Sequence, residues 1–192
     1  MGKKKVYIVL TDTGTMFTRL IKLYTKKPYN HASISFDEEL TEVYSFGRKL
    51  PRNPFIGGFV RENVKCGLFK NANCKIYSCE ITEEQYFKMR NFIQDIEKKQ
   101  HHYRYNLLGL IGFAFNKPIN REHAYFCSEF VATVLQEGEV LESQRSPSLV
   151  APHDLQNVSF FKLTYQGRLT DFPFTQKEKV FSPAARLTAI GW

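Results

Sequence analysis

The chain has 192 residues, 43% hydrophobic and 24% charged, enough apolar side chain to bury a core without disulfide or metal staples. Its net charge of +8 comes from scattered Lys and Arg, clustered only at Lys3-Lys4-Lys5, Lys26-Lys27 and Lys98-Lys99. Such runs are solvated surface, so a nucleic-acid partner is not favoured. The apolar run at 107–115 falls far short of the roughly 20 residues that span a bilayer, which excludes a transmembrane segment.

Lysines 3–5 precede an apolar run of five residues, 6–10, too short for a signal-peptide core. Val6 also breaks the myristoylation pattern after Gly2. The expectation is therefore a cytoplasmic protein with reduced thiols. The run 6–10 is β-branched and continuous, reading as a strand buried on both faces. Gly14 then turns the chain, and Phe17, Leu20, Ile21 and Tyr24 fall at helical spacing before Pro28. Residues 31–36 alternate, with His31, Ser33 and Ser35 on one face and Ala32, Ile34 and Phe36 on the other. Asp37-Glu38-Glu39 makes a turn, and 41–46 reads as the return strand of a hairpin.

Pro51, Pro54, Gly57, Gly58 and Gly67 suggest an irregular insertion over about 47–73. A strand follows at 75–81, and Thr82-Glu83-Glu84-Gln85 is a capping box for a helix with Tyr86, Met89, Ile93 and Ile96 on one stripe. Further helices are expected at about 107–115 and from Cys127, and strand near 160–164. From Thr170 onward there is no firm pattern, so 170–192 reads as a C-terminal extension of a single domain over 1–192. Cys66, Cys74, Cys79 and Cys127 lack metal-ligand spacing; a Cys74–Cys79 pairing stays open. No cofactor motif is found: there is no phosphate loop, dinucleotide fingerprint or G-x-S-x-G.

Cys127 opens the apolar run 127–135, at a helix start. There the helix dipole and unpaired N–H groups favour thiolate over thiol and offer donors to an oxyanion. A free cysteine is otherwise a small buried hydrophobe, and Cys66, Cys74 and Cys79 are read that way. His31 opens a strand with one polar face and supplies a base. A hairpin turning at Glu38-Glu39 pairs Ser35 with Glu42, Ser33 with Tyr44 and His31 with Phe46. That register puts Glu42 and Tyr44 on the His31 face, with Glu42 as the expected orienter and Tyr44 the alternative. His101-His102 complements a helix end, His123 falls in the loop before Cys127, and His153 follows Pro152, so no metal site is expected.

Together these segments resemble the circularly permuted branch of the NlpC/P60 papain-like superfamily, in which the histidine strand precedes the cysteine helix. The resemblance rests on residues 20–34, with Tyr29-Asn30-His31 opening the strand, and on Tyr125-Phe126-Cys127-Ser128-Glu129-Phe130-Val131. Pro152-His153-Asp154-Leu155 is similar to the turn that follows the family's cysteine helix. The family's Gly-Asp opening is absent as such; Asp12 and Gly14 stand in that region in another order. The resemblance covers about 6–165 and implies an α+β fold, an antiparallel sheet packed on the Cys127 helix. It further implies a cysteine hydrolase with Cys127 as nucleophile and His31 as base. The leading expectation is cleavage of an amide in a peptide or amino-acyl substrate. Acyl transfer or thioester cleavage on a lipid, and a binding module without chemistry, are the alternatives.

Overall fold

The computed structural model describes residues 2–13, 27–50, 53–69, 71–142 and 145–174. The helix expected over 17–24 and most of the extension after Thr170 lie outside those residues. The fold is α+β. Strands β1 (Lys3–Asp12), β2 (His31–Ser35), β3 (Val43–Leu50), β4 (Asn53–Glu62), β5 (Asn73–Thr82) and β8 (Lys162–Arg168) form one sheet in the order β4-β3-β2-β1-β5-β8. Every neighbouring pair in it is antiparallel. Two short strands, β6 (Arg104–Tyr105) and β7 (Ala124–Tyr125), pair in parallel beside it.

Hydrophobic patterning decides which face each residue covers. In β1, Val6, Ile8 and Leu10 enter one apolar cluster and Tyr7 and Val9 the other, so the central strand is buried on both faces. The larger cluster is covered by helices α1 (Glu83–Lys98) and α3 (Cys127–Glu137). The opposite cluster gathers Val43, Val64, Phe69, Cys74, Ile76 and Leu169. Helix α1 starts as its sequence directs: Gln85 N–H donates to Thr82 Oγ1 at 3.1 Å, and Thr82 N–H donates to Gln85 Oε1 at 3.0 Å. Its stripe of Met89, Ile93 and Ile96 is buried. Helix α2 (Leu107–Ala114) follows β6, and α4 (Pro152–Leu155) lies between α3 and β8.

Three expectations are corrected. The stretch 47–73 is not an irregular insertion. It carries the end of β3, all of β4 and a 3₁₀ turn at Gly67–Phe69. Gly57 looks like a strand breaker, yet a Cβ there would lie 2.8 Å from Tyr105 Cβ and 2.9 Å from Gly47 O. The glycine is what lets β4 approach β6 closely. The β2–β3 register is also one residue longer than the short turn implies, pairing Ile34 with Tyr44 and Ser35 with Val43. The turn is lengthened by Asp37, whose carboxylate accepts from the N–H groups of Thr41 (2.9 Å) and Glu42 (2.8 Å), and by Leu40 at φ 52°. Lastly, Cys74 and Cys79 lie five positions apart on β5, in opposite clusters, so they cannot pair; all four cysteines are free.

Candidate active site

The cysteine helix is set from its first turn. Phe126 is the extended cap (φ −100°, ψ 171°), and Glu129, three positions on, accepts its N–H at 3.0 Å. Asn106 Nδ2 donates to the same Glu129 carboxylate at 3.3 Å, while Asn106 Oδ1 caps α2 through Gly109 N–H at 2.8 Å. Burial raises the Glu129 carboxyl to about 7 against the pull of these two donors. Ser128 donates to Val150 O at 2.7 Å, and Phe130, Val131, Val134 and Leu135 seal the helix into the core. Cys127 is thereby held at the first helical position with 3% of its surface exposed.

His31 opens β2, across from Thr11 of β1. Asn30, immediately before it, donates N–H to Thr11 O at 3.1 Å and Nδ2–H to Asp12 Oδ1 at 3.0 Å. The imidazole Nε2 meets Glu62 Oε1 at 2.7 Å, with the side chains 12% and 7% exposed. Glu62 stands at the last position of β4. Ser33 donates to Glu62 Oε2 and Ser45 to Glu62 Oε1, each at 2.5 Å. Three neighbouring strands therefore aim a histidine, two hydroxyls and a carboxylate at one point. Phe69 closes the histidine's flank, ring centroids 6.1 Å apart.

The sulfur of Cys127 shares a hydrogen bond with His31 and accepts from the backbone N–H groups of Ala32 and Ser128. Burial pushes the thiol up, but the hydrogen bond and charge of His31, helped by those amides, bring it below the ordinary thiol value. Burial likewise disfavours charged His31. The negative charge of Glu62 and the bonds to Cys127 and Glu62 outweigh that and push the imidazole up to about 10. Glu62 resists burial in the same way, held below the usual carboxylate range by His31 and by the Ser33 and Ser45 hydroxyls. These directions make the thiol more acidic and the imidazole more basic than the isolated groups, beside an ionised Glu62.

Tyr105 completes the cluster. It ends β6, directly before the α2 cap, and its hydroxyl hydrogen-bonds both the sulfur and the backbone N–H of Cys127. Burial and the nearby Cys127 charge push the phenol well above its ordinary value, so it stays a donor.

The sequence-derived pair Cys127 and His31 is brought together; Glu42 is not. The longer turn moves Glu42 off the His31 face, since a one-residue slip exchanges the two faces of a strand. Glu42 instead faces Arg90 of α1 at 2.6 Å and Arg61 at 3.9 Å. Tyr44, the alternative, sits in the large core cluster and stacks on Phe59 at 5.9 Å. Sequence reading missed Glu62, Ser45 and Tyr105. Phe59-Val60-Arg61-Glu62 places two apolar residues before two charged ones, with no strand alternation to reveal β4, and Pro54, Gly57 and Gly58 masked it further.

The other histidines lie apart from this cluster. His123 (φ 53°) stands in the loop before β7, edge-on to Tyr103, and His101 and His102 lie side by side after α1 with their rings tilted by 44°. His153 lies in α4, where Asp154 accepts the Ala151 N–H at 2.9 Å. Among the described residues, no group of three His, Cys, Asp or Glu side chains is disposed to hold a metal ion. Comparison of the chain with family models, with curated proteins and with solved structures found no match.

Proposed function

We propose that this protein is a thiol hydrolase of the permuted NlpC/P60 papain-like type, with Cys127 as nucleophile, His31 as acid–base and Glu62 as the group that orients and charges His31. The observation that carries the reading is the buried row Cys127–His31–Glu62 at the start of α3. Structural ion pairs are common, but a lowered thiol at a helix start beside a raised imidazole is the arrangement nucleophilic catalysis requires.

Because Glu62 occupies Nε2, Nδ1 is the nitrogen left for proton exchange with Cys127. The thiolate attacks a substrate carbonyl carbon, forming a C–S bond and placing the charge on oxygen. The Tyr105 hydroxyl and the Cys127 N–H, which bond to each other in the resting site, would turn to that oxygen as donors, and one such donor contributes about 3–4 kcal/mol to the transition state. The C–N bond then breaks, and the leaving amine takes the proton from His31. Water, losing a proton to His31, attacks the thioester; the carboxylic acid leaves and the proton returns the site to imidazolium and thiolate. An amide in a peptide or amino-acyl compound is the leading substrate class.

The test is the rate of iodoacetamide alkylation at Cys127 across pH 4–9, located by peptide mass spectrometry, in wild type and His31→Ala. Rapid labelling at pH 6 that disappears in the variant is the expected result. Slow labelling that follows an ordinary thiol, or that ignores the substitution, would overturn the pair. Amide substrates are then screened with Cys127→Ala as the blank.

A further inference from the structure

Helix α2 is built inside out. Its small residues face the protein: Gly109 and Gly112 are buried. A Cβ on Gly109 would run into the Asn106 carboxamide, and one on Gly112 would lie 2.5 Å from Lys117 O and 2.6 Å from Ile119 Cγ1. Its large apolar residues face water. Leu108, Ile111 and Phe115 are 50%, 54% and 74% exposed, and they fall on one helix face at i, i+3 and i+7. Ile119, packed against Gly112, extends the ridge at 36% exposure. Glycine faces inward where leucine belongs, so the exposure is a property of how the helix is seated rather than of one stray side chain.

The chain around this ridge is mainly basic, with Glu97 and Glu122 at its two limits. Residues 98–121 contain five Lys and Arg and no Asp or Glu. Lys117 follows the helix, Arg104 precedes it and Arg121 borders β7. Among the described residues these three make no ion pair. An apolar ridge made mainly of aliphatic side chains does not match duplex nucleic acid, which presents its phosphates outward and keeps its base faces stacked. It matches the boundary between anionic headgroups and acyl chains, which accepts a ridge without a complementary groove and draws in cations.

We infer that α2 is an interfacial docking helix that seats the protein on an anionic phospholipid bilayer through Leu108, Ile111 and Phe115, with Lys117, Arg104 and Arg121 meeting the headgroups. The docking stands on the ridge and its charge, independently of any chemistry at Cys127. Its consequence for catalysis rests on the hydrolase reading. Tyr105 lies two residues before α2 and bonds to Cys127, so a docked α2 brings the thiol close to the interface. The carbonyl presented to it then belongs to a substrate anchored in the bilayer.

The experiment is co-sedimentation of the full chain with vesicles of phosphatidylcholine alone or mixed with phosphatidylglycerol. Wild type and Cys127→Ala are both expected to sediment with the anionic vesicles. Ile111→Ser/Phe115→Ser is expected to lose at least about tenfold in affinity, the least that withholding two large apolar side chains from a hydrocarbon phase is worth. Lys117→Glu/Arg121→Glu is expected to weaken binding to anionic vesicles and leave the neutral ones unchanged. These side chains are exposed, and unchanged alkylation at Cys127 in the two double variants shows the fold intact. Three results would overturn the inference. One is no binding by wild type, and another is binding that survives the double serine substitution. The third is self-association that the same substitution abolishes, seen by sedimentation equilibrium, which would make the ridge a contact between two copies. Loss of Cys127 reactivity without loss of vesicle binding would sink the hydrolase reading alone.

Discussion

His31 and Glu62 interact where water is nearly absent, so removing Glu62 leaves the imidazole with the Cys127 sulfur alone, and removing His31 leaves Glu62 with only the Ser33 and Ser45 hydroxyls. Truncating one member of a buried pair costs about 3–5 kcal/mol, more than the pair itself contributes over an apolar replacement. Glu62→Ala is therefore expected to lower urea-unfolding stability by that amount. Glu62→Gln, which keeps the shape, is expected to lower the His31 value from about 10, read by NMR titration of the imidazole. The pH dependence follows from the directions. His31 binds its proton more tightly folded than unfolded, so its contribution is complete below its ordinary 6.5 and is lost as pH rises through about 10. Glu62 and Cys127 are lowered, so theirs are lost on acidification. A stability profile that improves from pH 7 to 11 in wild type would contradict the charged row.

At the level of elements, the sequence made α1, α2, α3, β1 and the β2–β3 hairpin legible and hid β4. The capping box at Thr82, the stripe of α1 and the alternation at 31–36 each state a local preference that the tertiary structure honours. Glycine and proline, by contrast, signal only that a side chain or an N–H is absent, and β4 uses Gly57 for a close approach to Tyr105. The Glu42 expectation failed for a related reason. Register depends on the turn, and the turn is set by side-chain hydrogen bonds of Asp37 that no period reveals. Cys127 and His31 were readable because each sits at an element boundary; Glu62 required knowing which strand lies beside which. Gly57→Ala tests the close approach. The added methyl is expected to displace β6, costing about 1–3 kcal/mol in thermal or urea unfolding and slowing Cys127 alkylation through the shifted Tyr105.

For the whole molecule, the charged row draws its members from 31, 62 and 127, positions that the chain order keeps far apart. The hairpin partners of β3 and β4 lie close in sequence, whereas β1 must wait for β5, and His31 must wait for a helix 96 residues downstream (127 − 31). Closures of that span are slow, because loop entropy is lost before contacts repay it. A ribosome releasing this chain therefore exposes the imidazole and carboxylate well before the sulfur, and β8, which completes the sheet, emerges after all three. Pulsed alkylation during refolding is expected to show ordinary, slow Cys127 labelling early, rising to its full neutral-pH rate with the last, sheet-closing phase. Thiol reactivity would thus be a timer: on the proposed reading Cys127 is activated only when the fold is complete, and a half-made chain carries an ordinary thiol.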